Sequence, residues 1–350
     1  MGVAVARKLG RSALDHVDRG AEEISTGKPF QDYNRCVNIQ RLVHILQTVA
    51  KNGPAVGRAI TRSKKRDTGP KDWFSGVDDT SWLWMNTTGR KRLKPIAALV
   101  PGLPDSRMQA VFTGDTDDDT LRAGFEIYRL FKGYYEAQIG PISSCRGILD
   151  FGCGWGRIIR FFLRDVSPEK IVGVDYEAEV IQACRDTNKW CKFTLIEPYP
   201  PTSLPSGAFD LIYLFSVFSH LPEEMHWALL KEFHRLLVPG GLLVATTRRR
   251  DFIQYCQSLR DDPNLQEMPD YLSCSAEVFR NMDESLATYD GGLFCYDRYE
   301  QNEGRSSFWG EACIPKTYVE RRWGEVFEVC DYVDDPKVCP QNVIVARKRV

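Results

Sequence analysis

Between Ile148 and Gly156 the chain reads Ile-Leu-Asp-Phe-Gly-Cys-Gly-Trp-Gly. A short apolar run carrying one acid is followed by glycines at every second position. An apolar run of this length, bounded by turn residues, reads as a buried strand. Glycine tolerates positive φ and lets another molecule approach the backbone. A helical pattern over Arg157 to Asp165 is expected to follow at once. A strand that turns through glycines into a helix sets main-chain N–H groups against a bound small molecule. An α/β sheet holds a nucleoside cofactor in this way.

The glycine spacing narrows the ligand. A triphosphate-gripping loop needs Gly-Lys followed by Ser or Thr, and the chain has none. The dinucleotide fingerprint is GxGxxG, whereas here the order is DxGxGxG over Asp150 to Gly156. This segment resembles the class I S-adenosylmethionine-dependent methyltransferases. The resemblance implies that Asp150 and the backbone at Gly152, Cys153, Gly154 and Gly156 wrap the aminoacyl end of S-adenosyl-L-methionine. Lys170 to Asp175 reads as the next strand, ending in an acid 21 positions after Gly154. A carboxylate there can accept both hydrogens of a ribose diol. Asp175 also suits the N-cap of the helix expected over Ala178 to Thr187. Tyr176 is positioned to pack on the adenine.

A third strand is expected over Lys192 to Glu197, and Glu197 is a candidate for the adenine amino group or a surface carboxylate. Phe209 to Ser216 reads as a fourth strand, preceded by the turn formers Pro205, Ser206 and Gly207. Phe215 and Ser216 fall at its tip. An amphipathic helix follows, with Trp227, Leu230, Phe233, Leu236 and Leu237 on one face. Pro239-Gly240-Gly241 is read as its stop, and Leu242 to Thr247 as the fifth strand. Phe327 to Val333 and Asn342 to Arg347 read as two closing strands. The order matches the family and implies a Rossmann-like α/β fold: a seven-stranded, mostly parallel sheet whose last strand is antiparallel. In layout the chain is also similar to bacterial-type methyltransferases that accompany sugar and polysaccharide enzymes. That likeness rests on Leu149 to Gly154, the following Gly-Arg, and Ser216 to Leu221, and it hints at oxygen methylation of a saccharide or small metabolite.

Four regions are expected. Residues 1–70 form a helical or loosely ordered extension. Residues 71–144 form a pre-core cap with an aromatic-dense stretch (Trp73, Phe74, Trp82, Trp84). Residues 145–250 form the cofactor-binding core. Residues 251–350 complete it and carry an aromatic insertion over 286–322 that caps the acceptor. Within the extension, Val43 to Ala50 is helical and Asn52-Gly53-Pro54 breaks it; Lys64 to Lys71 reads as a linker or exposed loop. Val278 to Met282 is helical in flavour. Asp115 to Asp119 invites a metal, but acids before the helical pattern Thr120 to Ala137 suit free N–H groups and the helix dipole better. Phe112 to Gly114 is placed to form part of a lid.

The net charge of −1 gives no global pull toward nucleic acid or an anionic membrane. The clusters Arg62 to Arg66 and Arg248 to Arg250 are read as solvated surface. No apolar run approaches the roughly 20 residues of a membrane span. Eleven cysteines without a CxxC pair argue against a metal site and for reduced thiols, so a cytoplasmic protein is expected. The general base, where the acceptor needs one, is His220, at the carboxyl edge after strand four; His226 and His234 are read as structural or solvent-facing. Two other activities stay open: methylation of a protein or peptide, and a silent binding module. Oligomeric state is not readable.

Overall fold

The computed structural model describes residues 53–65, 68–268, 270–299 and 308–350. The expected helix at 43–50 and Arg66 lie outside the described residues. Gly53 and Pro54 open a helical stretch over 53–63, and helix resumes at Pro70 within the supposed linker.

Seven strands form one sheet: β1 (Ile148–Phe151), β2 (Ile171–Asp175), β3 (Lys192–Leu195), β4 (Phe209–Leu214), β5 (Leu237–Thr247), β8 (Phe327–Val333) and β9 (Asn342–Lys348). Their order is β3-β2-β1-β4-β5-β9-β8. The first five are parallel, and β9 is antiparallel to both neighbours. A two-stranded hairpin, β6 (Cys295–Arg298) with β7 (Gly310–Cys313), lies apart. The order reverses between β1 and β4, so the crevice at the carboxyl ends of these strands is where an open α/β sheet receives a ligand.

Strand residues alternate between faces. Ile148, Leu211, Tyr213, Leu242, Val244, Val343 and Val345 pack on one side. That face is covered by α2 (Asp117–Gln138) and α3 (Ala178–Thr187). Leu149, Phe151, Ile212, Leu214, Leu243, Ala245, Ile344 and Ala346 pack on the other. There α4 (Glu223–Leu236) and α6 (Lys316–Arg322) supply the cover. By this alternation Asp150 shares the face of Ile148.

Several boundaries differ from the sequence reading. After the glycines the chain makes a turn and then a 3-10 helix, Ile159–Arg164, not a full α-helix. Three left-handed glycines delay the helical start. β3 ends at Leu195, two residues early. Helix α4 ends at Leu236, and Pro239-Gly240-Gly241 lies inside β5 as a bulge. There Phe209 pairs with Leu237 and Leu211 with Leu242. Val278 to Met282 is mostly a bend between helices, with Phe279 at φ 54.

The cap is fastened to the core by the 3-10 segment. Phe74 and Trp82 pack with their rings tilted and centroids 4.4 Å apart. Fully buried Trp82 donates its indole N–H to Phe161 O at 3.0 Å. Buried Arg164 reaches Val77 O at 3.2 Å and pairs with Asp79 at 2.8 Å. Buried Arg160 donates to the carbonyls of Pro101 and Gly102. The acids Asp117, Asp118 and Asp119 occupy the first turn of α2, and Asp118 pairs with Lys91 at 2.9 Å. Among the described residues no cluster of metal-binding side chains occurs.

Replacing Trp82 with Ala removes a fully buried ring and orphans a carbonyl. The expected loss is about 3–5 kcal/mol of unfolding free energy, read from urea denaturation, with Trp82→Phe losing clearly less.

Candidate cofactor and acceptor site

The turn after β1 is built from three glycines with positive φ: Gly152 at 70°, Gly154 at 49° and Gly156 at 78°. A side chain at Gly152 would lie 2.4 Å from Val217 Cγ2, so this glycine is demanded by the approach of the β4 loop as well. The Cβ direction of Gly156 points to Cys184 and Phe193 in the core, and buried Cys153 faces the same way. These two positions shape the turn, and neither the Cys153 thiol nor the Cβ direction of Gly156 faces its open side.

The expectation that the glycine N–H groups point at the ligand is corrected by their partners. Gly152 and Cys153 donate to Val174 O at 2.9 and 3.0 Å, and Gly156 donates to Cys153 O at 3.0 Å. Gly154 donates to Asp175 Oδ2 at 3.0 Å. The turn is stitched to β2, and the side chains that rim it are acceptors. Asp175 is not the helix N-cap, which is Glu177, one residue before Ala178; instead its Oδ1 accepts from Glu177 N at 3.2 Å and its Oδ2 holds the glycine turn.

Asp150 sits between Gly173 and Tyr213 in the sheet register. It is 2% exposed, and its Oδ2 has no hydrogen-bond partner. Burial raises its pKa to about 7, against the Tyr213 hydroxyl and Arg157, which favour the charged form. Burial likewise raises Asp175 to about 6, opposed by the N–H groups of Glu177 and Gly154. Arg157 leaves the turn alongside Gly124 of α2, where a Cβ would meet its side chain at 2.7 Å, and its guanidinium lies 5.5 Å over the Phe215 ring. Burial lowers Arg157 to about 10.

The Phe112 ring covers the open side of Gly154, 3.4 Å from where its Cβ would lie. Phe112 is 39% exposed and ends α1 (Ser106–Thr113), just before Gly114 at φ 74. On the far side an aromatic wall rises. Tyr176 accepts a hydrogen bond from Trp309 Nε1 at 2.6 Å, and Phe308 packs edge-on against Tyr176 and Tyr199. Glu197 is exposed two residues beyond β3.

His220 follows β4 and packs on Trp309 at 4.9 Å between centroids. Its Nδ1 lies 3.0 Å from Gly310 O and 3.6 Å from Glu311 Oε1, and its Nε2 lies 3.4 Å from Ser216 Oγ. Ser216 has φ 60. His226, by contrast, is fully buried, accepts from Trp323 Nε1 at 3.0 Å, and burial lowers its pKa to about 3. The basic run at 248–250 is solvated surface only in part: Arg248 turns inward to buried Glu311, Arg249 pairs with Asp334, and Arg250 pairs with Asp290 at the surface. Arg248, Tyr299 and Glu311 went unrecognised as site residues because 63 positions separate Arg248 from Glu311. Only the aromatic density of the insertion signalled their region.

Residues 148–241 match the family model described as a methyltransferase domain. The trans-aconitate 2-methyltransferase of Azoarcus sp. (strain BH72) is 30% identical over 106 residues, 29% of this chain and 39% of the relative. The malonyl-[acyl-carrier protein] O-methyltransferase of Legionella pneumophila is 27% identical over 141 residues, 37% of this chain and 44% of the relative. The chain thus spans about two fifths of the length of the curated relatives it matches. A solved S-adenosylmethionine-dependent methyltransferase from Methanosarcina mazei is 18% identical, with a TM-score of 0.39, over 58% of this chain and 92% of the other. One from Mesorhizobium loti is 15% identical, with a TM-score of 0.41, over 62% and 96%.

The Asp150 environment makes a pH prediction. Its folded pKa is raised above an unfolded value near 3.8, so between the two values the unfolded chain is ionised while the folded one keeps its proton. Asp150 therefore lowers stability as pH rises through about 4 to 7. The variant Asp150→Asn is expected to exceed the parent by roughly 2–4 kcal/mol at pH 8, with the gap closing near pH 4. Urea denaturation across this range measures it.

Proposed function

We propose that the protein transfers a methyl group from S-adenosylmethionine to oxygen on a small-molecule acceptor. The observation that carries the reading is the acceptor-lined turn at the β1 tip. A buried carboxylate oxygen without a partner stands on β1, and a second carboxylate, at the β2 tip, keeps lone pairs beyond its two backbone bonds. Such a rim suits a ligand that brings donors, an ammonium and a ribose diol. At Asp150 burial outweighs the help of the Tyr213 hydroxyl and Arg157, and such a cation relieves it.

When bound, the cofactor supplies an electrophilic methyl group on a sulfonium, so the hardest chemistry is its own. In this reading Asp150 faces the ammonium and Asp175 the ribose. Tyr176 borders the adenine, with Glu197 as an outer contact, and Phe112 gives way over Gly154. Phe215 and Ser216 border the reacting end. Alignment of donor and acceptor and exclusion of water can remove about 7–11 kcal/mol of barrier. His220 takes the proton of a hydroxyl acceptor, a contribution of about 10²–10⁴-fold; a carboxylate acceptor needs no base. The two relatives are named for trans-aconitate and for a malonyl group on a carrier protein, which favours an acidic small acceptor over a saccharide. The ten free thiols of the described residues fit a reducing, cytoplasmic compartment.

Titration calorimetry with S-adenosylhomocysteine is expected to give saturable binding to the parent. Asp175→Ala should weaken it by about 1–3 kcal/mol, and Gly154→Val should abolish it. Equal affinity in all three proteins refutes the cofactor reading. Radiolabelled methyl transfer, offered to panels of small carboxylic acids, hydroxylated metabolites and sugars, then reports the acceptor. His220→Ala is expected to lower turnover on a hydroxyl acceptor about 10²-fold or more, with cofactor affinity unchanged.

A further inference from the structure

We propose that Glu311 is the positioning residue for His220: the buried carboxylate holds charge behind Nδ1, so that Nε2 faces the acceptor side as the proton-accepting atom. The inference rests on the reading of His220 as a base.

One hydrogen bond fixes the tautomer of the ring, and a second chain is compatible with it. Gly310 O, 3.0 Å from Nδ1, has no proton to give, so Nδ1 carries the hydrogen and Nε2 of the neutral ring is bare. From the other side, Ser216 N donates to Thr246 Oγ1 at 2.8 Å. Thr246 then gives its own hydrogen to Gln341 Oε1 at 2.7 Å. This turns the Gln341 amide nitrogen toward Ser216 Oγ, to which it donates at 2.9 Å. Ser216 Oγ, already an acceptor, directs its hydrogen at Ser219 Oγ or His220 Nε2, 3.2 and 3.4 Å away. The first contact makes Nε2 the acceptor, and the second is compatible with it, since Ser216 can aim its hydrogen at Nε2.

Glu311 adds what these neutral groups lack. It is 1% exposed, and its two oxygens take Arg248 Nε at 2.7 Å and Nη2 at 3.0 Å; Oε1 also accepts the Tyr299 hydroxyl. The same Oε1 lies 3.6 Å from His220 Nδ1. Burial alone would raise the Glu311 pKa, but Arg248 and His220 outweigh it and hold the carboxyl below its usual range. A buried ion pair contributes little net stability against a well-packed apolar pair. An apolar pair could not offset the imidazolium formed when Nε2 takes a proton. The groups facing His220 include Ser216 beside β4, Trp309 and Gly310 on the hairpin, and Glu311 with Arg248 and Tyr299 behind it. Glu311 is the acid among them.

The test needs no turnover. Long-range proton–nitrogen spectra of protein labelled in its five histidines report the tautomer and titration midpoint of His220, with His220→Gln identifying its signals. The parent is expected to show a neutral ring protonated on Nδ1. Because Glu311→Gln leaves Arg248 buried and unpaired, the double variant Arg248→Met with Glu311→Gln removes both charges and guards against misfolding. In both, the midpoint should fall by about one pH unit or more, tenfold in the protonation equilibrium. Affinity for S-adenosylhomocysteine should be unchanged, and turnover on a hydroxyl acceptor should fall about tenfold with little change in KM. A parent-like midpoint in the folded double variant, or a parent ring protonated on Nε2, overturns the proposal. Failure of the methyltransferase reading would show instead as no cofactor binding by the parent, and would leave the midpoints readable.

Discussion

The hydrogen bond from Gly154 N to Asp175 Oδ2 joins the two parts of the molecule on which everything else depends. Three left-handed glycines give the backbone after β1 its path, but glycines alone leave that path loose, since they carry the largest conformational entropy. The bond to the tip of β2, with the two bonds to Val174 O, converts a permissive segment into a single shape. It also explains why the loop presents acidic side chains: its own donors are used in holding itself. A cradle rimmed by carboxylates selects a cationic nucleoside over a phosphate-bearing one by charge sign, before any shape is considered.

The remainder of the chain is arranged around that turn. Arg160 and Arg164, buried on the 3-10 segment that follows the glycines, reach back to carbonyls at 101, 102 and 77. The N-terminal cap is thereby tied to the segment that directly follows the glycine turn. On the opposite side the β6–β7 hairpin is held to the end of β5 by Arg248 and Glu311 and touches β2 through Trp309 and Tyr176. Both covers of the crevice are therefore fixed by partly buried charge, and apolar contact follows from it.

Much of the sheet was legible because its signals are local. Strand β8 and helix α3 run as read, Phe327 to Val333 and Ala178 to Thr187, since alternation and helical spacing are written within a few residues. The acids at 150 and 175 were legible from their spacing to the glycines. The failures share a cause. Pro239-Gly240-Gly241 reads as a stop by turn chemistry, yet lies within β5, because pairing of Leu237 with Phe209 overrides local preference. Arg248 reads as solvated surface because the acid that neutralises it arrives 63 residues later. The direction of the glycine N–H groups depends on Val174 and Asp175 across a neighbouring strand, and no periodicity carries that.

The placement of β9 between β5 and β8 bears on how the chain is made. Residues 327–333 emerge before the strand that anchors them, and their backbone has nothing in the sheet to bond until 342–348 insert antiparallel beside β5. Until then the growing chain shows the ribosome and its chaperones an open β5 flank, with an apolar edge of the kind that pairs with strangers. Closure of that flank is the late event in assembly, and it lies on the side of the sheet away from β2, across β1 and β4 from the tip that pins the glycine turn.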